Sequence, residues 1–272
     1  MDIYSKIKNM KIQGASEIAI KELLYLKDFA EKHGFSQKFE KECKRLMNIR
    51  KTAVVSHNVI SIILRDKSLE KITDLIEELK EVRKKIANNS KDLFSNGKKT
   101  IMTHCHSHEA TQVMLYNRKM IKEVYVTETR PFNQGLMTAN DLAGRVDVKY
   151  VVDSAEGFFM PKVDFILIGA DALRREGLVN KIGTLQLCIL AKAYGKKVFV
   201  AADVFKLDNR KKIDIEYRSA EEITKYLDRK QIVSLRSVKI LNPIFDITPW
   251  KYITAVITEK GVLKPEKLFK NS

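Results

Sequence analysis

Residues 100–109 read TIMTHCHSHE, and within ten positions they pass from an apolar run to a string of histidines, a cysteine and a glutamate. TIMT has the length of a short buried strand, the polar string that of a loop, and the spacing from Glu109 to Lys119 that of a helix. The same succession recurs down the chain. EVYVT (123–127) precedes a helical stretch at 138–142, VKYVV (148–152) and DFILIGA (164–170) precede another at 185–193, and KVFVAA (197–202) follows. Apolar runs separated by helices indicate a buried parallel sheet with both faces covered. The expectation is a Rossmann-like, doubly wound α/β domain over residues 96–272.

Upstream of Asn96-Gly97 the pattern is different. Ile18, Leu23, Leu24 and Leu26, then Leu75, Ile76, Leu79 and Val82, recur at helical spacing. Breaks near Gly14, at His33-Gly34 and around Asp66-Lys67-Ser68 divide residues 1–95 into four or five helices. The fold class expected is therefore α/β, with an N-terminal helical domain followed by the parallel-sheet domain.

With 44% hydrophobic residues and five prolines, the composition excludes a disordered or fibrous chain. The start, MDIYSKIKNM, lacks the apolar stretch of a secretory signal, and no window has the roughly 20 apolar residues of a membrane span. A cytoplasmic protein with no membrane partner is expected. Cys43, Cys105 and Cys188 are far apart and odd in number, which argues against a disulfide framework or a CxxC zinc site. Fifty basic against thirty-four acidic residues, a net charge of +16, suit a phosphorylated ligand. Nucleic acid is disfavoured, because the charge is spread through stretches such as EELKEVRKK (77–85), where opposite signs pair along a helix face.

In a doubly wound sheet, ligands bind outside the carboxyl ends of the strands. The loops placed there are HCHSHE, ETRPFNQG, DSAEG, GAD and ADVFK, all rich in polar and ionisable residues. In HCHSHE, alternate residues share a strand face, so His104, His106 and His108 could converge on a metal if the strand continued, with Glu128 or Asp171 adding a carboxylate. Alternatively Cys105 carries acid/base chemistry, its thiol pKa lowered by a helix starting near Ser107 or His108. A third reading is a buried, inert cysteine, which fits Cys43 and Cys188 on their apolar helical faces.

ETRPFNQG offers Arg130 for phosphate and Gln134 for sugar hydroxyls, or a structural Arg–Glu pair. In GAD, Gly169 permits a tight turn and burial would raise the Asp171 pKa toward that of a general acid, unless Asp171 only caps a turn. GLVNKIGT (177–184) puts Asn180 and Lys181 just before a helix N-terminus suited to phosphate. Each signal alone is weak. Their coincidence at one end of one sheet points to a small-molecule site.

The ordered runs THCHS (103–107), TETRPFNQG (127–135), GADAL (169–173), VNKIGT (179–184) and KKVFVAADVFK (196–206) carry a resemblance. They resemble the family that joins archaeal ribose-1,5-bisphosphate isomerase, 5-methylthioribose-1-phosphate isomerase and the regulatory α/β/δ subunits of the translation-initiation guanine-nucleotide exchange factor. It covers most of residues 10–210. The resemblance implies Cys105 and Asp171 as an acid/base pair, a grip formed by Arg50, Arg130, Gln134, Asn180 and Lys181 with Gln13, Gly14 and Ala15, no metal or other cofactor, a nucleotide as activator, and assembly as homodimers or a hexamer of dimers.

Two departures stand out. The stretch resembling an Arg-Gly-Ala motif reads IQGAS (12–16), with Gln13 in place of arginine, and the one resembling Arg-Pro-Thr-Ala reads RKTAV (50–54), keeping Arg50, Thr52 and Ala53 without the proline. Lys11 or Lys51 restores charge there but not a bidentate grip. The function implied is isomerisation of an aldose 1-phosphate, ribose 1,5-bisphosphate to ribulose 1,5-bisphosphate foremost. A non-catalytic regulatory subunit that binds a nucleotide or sugar phosphate is the alternative, supported by Gln13. Methylthioribose-1-phosphate isomerisation is a second alternative, requiring an apolar pocket.

Overall fold

The computed structural model describes residues 3–8, 14–49, 53–210, 215–235 and 237–270. It opens with α1 (Ile3–Lys8), α2 (Ala15–His33), α3 (Gln37–Ile49), α4 (Val54–Arg65) and α5 (Leu69–Asn89). Two of their ends have a clear local cause. The chain leaves α2 through Gly34, at φ 62, a left-handed conformation in which glycine carries no Cβ penalty. At the start of α5 the Ser68 hydroxyl accepts the Lys71 N–H at 3.1 Å, a serine N-cap. The apolar stripes meet in a core containing Leu23, Leu26, Phe39, Leu46, Ile60, Ile63 and Leu79. Cys43 is fully buried among them, and burial pushes its thiol up to about 12, as an inert core cysteine requires.

The first strand begins where the helices end. In chain order there follow β1 (Lys99–Thr103), α6 (His108–Tyr116), β2 (Ile121–Thr127), α7 (Gly135–Leu142), β3 (Val148–Val151), α8 (Glu156–Phe159) and β4 (Phe165–Ile168). Beyond these lie β5 (Ala172–Arg174), β6 (Gly177–Lys181), α9 (Thr184–Ala193), β7 (Lys197–Ala201) and β8 (Leu207–Asp208). The last elements are α10 (Glu221–Thr224), α11 (Arg229–Ser234), β9 (Phe245–Thr248), β10 (Ala255–Thr258) and β11 (Gly261–Leu263). Seven strands form one sheet in the order β11-β10-β7-β4-β1-β2-β3, all parallel except the edge strand β11. The four-residue run of β4 is buried throughout, which explains its unbroken apolar sequence. Strand order reverses between β1 and β4, so a crevice opens there at the carboxyl ends.

A second sheet, β8-β5-β6-β9, was not expected from the sequence. Its hairpin, β5 with β6, grows directly out of the loop after β4 and carries Asn180 and Lys181 on its second strand. β9 pairs antiparallel with β6 and lies 64 or more residues downstream of it. At Gly177 a Cβ would meet the Thr248 carbonyl oxygen at 2.4 Å, so only glycine lets the two backbones close. Arg174 and Asp208 pair at 2.7 Å with both side chains 2% exposed, pinning β8 to β5. Phe205, just before β8, reaches back into the helical core, and Asn58 on α4 donates to the Phe205 and Leu207 carbonyls at 2.7 and 2.8 Å. The helices and the sheet thereby share one seam, and the crevice opens along it.

Candidate active site

At the carboxyl end of β1 the chain turns through Cys105, which holds φ 67, a left-handed conformation that costs a non-glycine residue roughly 1–2 kcal/mol. Neighbouring threonines hold it there. Its N–H donates to Thr129 Oγ1 at 2.8 Å, and its carbonyl accepts the Thr138 hydroxyl at 3.0 Å. Thr129 is itself at φ 62, held by Asp153, whose carboxylate accepts the N–H groups of Thr129 and Arg130 at 2.8 Å each. The thiol points at Gln134 and donates to its Oε1 across 3.6 Å.

The thiol's electrostatics go against the lowered-pKa reading and fit the buried-cysteine one. Burial pushes Cys105 up to about 11, with Asp171 adding to the rise and Lys181 opposing it. A helix does begin at His108, but its N-cap is Ser107, whose hydroxyl accepts the Ala110 N–H at 3.2 Å. Cys105 lies two residues before that cap, beyond the reach of a dipole that fades within the first turn, so burial wins. Gly169 is required by close approach rather than by a tight turn: a Cβ there would meet the Ser107 side chain at 2.4 Å.

Asp171 follows immediately before β5, its N–H donating to the Val179 carbonyl at 2.9 Å. Its side chain is half-buried, less enclosed than the sequence suggested, and lines the same pocket as Cys105. Asn180, Lys181, Gln134, Gly14 and Ala15 line it too. Lys181 is 93% withdrawn from solvent, its ammonium 5.1 Å from the Phe245 ring centroid. Asn180 donates to Thr184 Oγ1 at 3.0 Å. The N-terminus of α9, expected to receive phosphate, is already capped: the Asp246 carboxylate accepts from Gly183 at 2.9 Å and Leu185 at 3.1 Å. A second helix start borders the pocket: Gly14, at φ 88, is the N-cap of α2 and lies against the His108 ring, where a Cβ would come within 2.8 Å.

Arg130 does not join the pocket wall. Its guanidinium carbon lies 3.9 Å over the Tyr226 ring, a cation–π contact. Gln13 and Arg50, with Lys11, Lys51 and Thr52, lie outside the described residues.

The three histidines do not converge. His104 is buried, with Nδ1 2.7 Å from the Thr127 hydroxyl and Nε2 2.9 Å from the Ile182 carbonyl, and burial lowers its pKa. A neutral ring fits both contacts, Nε2–H donating to Ile182 and Nδ1 accepting from Thr127. His106 bonds Thr138 Oγ1 at 3.0 Å and packs edge-on against His108, ring centroids 4.8 Å apart. Among the described residues, His104, Asp153 and Glu156 bring ligand-type atoms within 4.8 Å of one another. The Asp153 oxygens accept the N–H groups of Thr129 and Arg130, both His104 nitrogens are engaged, and burial with the nearby Asp153 charge pushes Glu156 up to about 8.

Sequence reasoning missed a buried charge cluster in the wall. Lys206 pairs with Glu109 at 3.1 Å, and Ser16 of α2 donates to Glu109 Oε1 at 3.4 Å and to Asp203 Oδ2 at 3.3 Å. Burial works against Glu109's charge, but Lys206, the Glu109 backbone N–H and Arg83 together outweigh it and hold that carboxyl down at about 2. Asp203 is pushed up to about 6 by burial, against the pull of Lys206. Glu109 and Lys206 stood in the HCHSHE and ADVFK loops, and opposite signs in two loops at one sheet edge were the available signal. Phe132, Arg218 and Phe245 also line the pocket, the last two from beyond residue 210.

The sequence matches the initiation factor 2 subunit family over residues 11–265. It is 35% identical to the ribose 1,5-bisphosphate isomerase of Methanocaldococcus jannaschii, over 97% of this chain and 91% of that one. It is 32% identical to the methylthioribose-1-phosphate isomerase of Petrotoga mobilis, over 97% of this chain and 87% of that one. Its fold is similar to that of translation initiation factor eIF-2B from Pyrococcus horikoshii OT3, with a TM-score of 0.81 at 23% identity, over 97% and 96% of the two chains.

Proposed function

The chain belongs to the initiation factor 2 subunit family, and from that premise we propose that it is an aldose–ketose isomerase converting ribose 1,5-bisphosphate to ribulose 1,5-bisphosphate. The observation that carries this reading is one pocket lined by both Cys105 and Asp171, with Asn180 and Lys181 on the same wall. The names of the archaeal relatives at 32–35% identity support the choice of substrate.

Phosphate on C1 blocks the spontaneous ring opening of a free aldose, so a proton must be delivered to the ring oxygen and hydrogen must pass between C2 and C1. Two proton-exchanging groups are the minimum. We assign the ring oxygen to Asp171 and the other transfer to Cys105. To accept the proton lost from C2 or its hydroxyl as Asp171 donates one to the ring oxygen, Cys105 acts as its thiolate, the form that Lys181 favours against the burial that pushes the thiol up to about 11. Lys181 and the N-terminus of α2 at Gly14-Ala15 hold phosphate, while Gln134 and Asn180 orient sugar hydroxyls. Arg50 and Gln13 belong to the same grip in this proposal. The protein works in the cytosol as a homodimer or a hexamer of dimers, with a nucleotide as activator. Among the described residues no helix is long and apolar enough to cross a membrane.

A purified chain incubated with ribose 1,5-bisphosphate should yield ribulose 1,5-bisphosphate, detected by mass-resolved chromatography or proton NMR. Absence of product from ribose 1,5-bisphosphate, with turnover of methylthioribose 1-phosphate instead, would redirect the substrate. No turnover of either would leave a sugar-phosphate-binding regulatory protein.

A further inference from the structure

The loop DSAEG (153–157) follows β3 and has no part in the proposed reaction, yet its first residue reaches the turn that carries the thiol. β1, β2 and β3 lie side by side in the sheet, and the loops at their carboxyl ends put Cys105, Thr129 and Asp153 in a row along its rim. Asp153 accepts the Thr129 N–H on one carboxylate oxygen and the Arg130 N–H on the other, at 2.8 Å each. The Thr129 hydroxyl donates its proton to the Thr127 carbonyl at 3.3 Å, which leaves its oxygen to accept the Cys105 N–H at 2.8 Å. Hydrogen bonds thus run without a break from the third strand to the first.

Two residues of that row hold backbone that their type disfavours. Cys105 is at φ 67 and Thr129 at φ 62. For a β-branched residue such as threonine the left-handed region is an outlier, kept only where the surroundings enforce it. A carboxylate, which only accepts, matches the two N–H groups that converge on Asp153, whereas an amide would turn a donor toward one of them. The same loop carries the sulfur's partner: the Thr129 carbonyl accepts the Asn133 N–H at 2.9 Å, and Gln134 follows with the Oε1 that faces the thiol at 3.6 Å. The acceptor of the Cys105 N–H and the acceptor of its thiol therefore both belong to the segment that Asp153 clamps. We infer that Asp153 is a positioning residue for the Cys105 thiol, acting through Thr129, although it does not itself line the pocket. The inference rests on the isomerase reading and deepens it.

The charge of Asp153 works in the opposite sense to its placement. Burial leads the rise of the Cys105 thiol, Lys181 opposes that rise, and Asp171 and Asp153 add to it. An Asp153 that acted by charge alone would hinder the thiolate, and its removal would speed turnover. One that acts by placement slows turnover when removed.

The test compares the unaltered protein with D153N, T129V, T129S and the D153N/T129V double variant in steady-state kinetics with ribose 1,5-bisphosphate, iodoacetamide rates against pH, and amide exchange followed by NMR. D153N and T129V should each lower kcat roughly ten- to hundredfold, the scale of a misplacement of about 1 Å, with KM within about threefold. T129S keeps the hydroxyl and should hold kcat within about threefold of the unaltered value. The double variant should lose about as much as the larger single loss, since both substitutions act on one contact. In D153N the alkylation limb should move to lower pH even as kcat falls. Faster turnover in D153N, an indifferent T129V, losses that multiply in the double variant, or a fall in thermal midpoint with kcat held each overturn the assignment. An unaltered chain with no turnover removes the isomerase reading alone, and exchange then decides the placement. Protection lost at the Cys105 amide of D153N and kept at that of Cys43 supports it; loss at both, or at neither, overturns it.

Discussion

Cys43 in the helical core and Cys105 at the rim of the sheet are both buried, and burial pushes both thiols up, to about 12 and about 11. What separates them is company. Cys43 lies on a regular helix among Leu46, Phe39 and other apolar groups. Cys105 holds a left-handed backbone and faces Gln134, with the charges of Lys181 and Asp171 acting on its sulfur. A buried thiol therefore does not mark a site by itself. Strain paid for by neighbouring hydrogen bonds, with ionisable groups in the same pocket, does.

The contrast breaks most sharply under substitution. Cys105→Ser and Asp171→Asn should each lower kcat by roughly 10²–10⁴-fold, the span of a lost acid/base group, with denaturation midpoints nearly unchanged. Cys43→Ser, tested in the same assay, should cost stability and leave kcat intact. Phe39→Ala, in the core around Cys43, should lower unfolding free energy by roughly 3–5 kcal/mol in urea titrations, again with kcat intact below the transition.

Glu109→Gln probes the seam between the two regions. It leaves the buried Lys206 charge with Asp203 as its remaining carboxylate neighbour and should cost about 1.5–3 kcal/mol, the size of a hydrogen bond to a charged group. Its pH signature follows from the direction of the shift. The Glu109 carboxyl is held at about 2 from an ordinary 4.5, so its contribution is present above about 4.5 and is lost as pH falls toward 2. The variant should flatten that acid limb in stability measured against pH.

Alkylation sharpens the comparison further. Iodoacetamide should modify Cys105 roughly tenfold or more slower than free cysteine at pH 8, since the lower thiolate fraction outweighs the gain in nucleophilicity, with the rate climbing as pH nears 11. Lys181→Gln removes the group that opposes the rise and should move that limb higher. The smallest effect belongs to Gln134→Ala, which removes one weak sulfur contact and should change kcat/KM by about threefold to tenfold.

The two regions also differ in how legible they were. Helical periodicity placed α2 and α5 and the buried Cys43, because each apolar stripe is written within one segment. Short, mostly apolar runs placed β1 to β4 and β7 for the same reason, although β3 at the sheet edge carries Lys149 and is only partly covered. The second sheet escaped because β6 finds β9 across more than sixty residues, and neither strand alone has a period long enough to read. Cys105, Asp171, Gln134, Asn180 and Lys181 were legible as loop residues at one sheet edge. Arg218 was not, since it reaches the pocket from an excursion with no strand before it, and Lys206 meets Glu109 only through the fold. The misjudged thiol pKa has one cause: a dipole can be placed from sequence, whereas enclosure cannot.

Gly14 presses its backbone against the His108 ring, with no room for a side chain between them. That contact makes the pocket a joint property of two layers, so ligand added during refolding should report the closing of that joint rather than the formation of either layer.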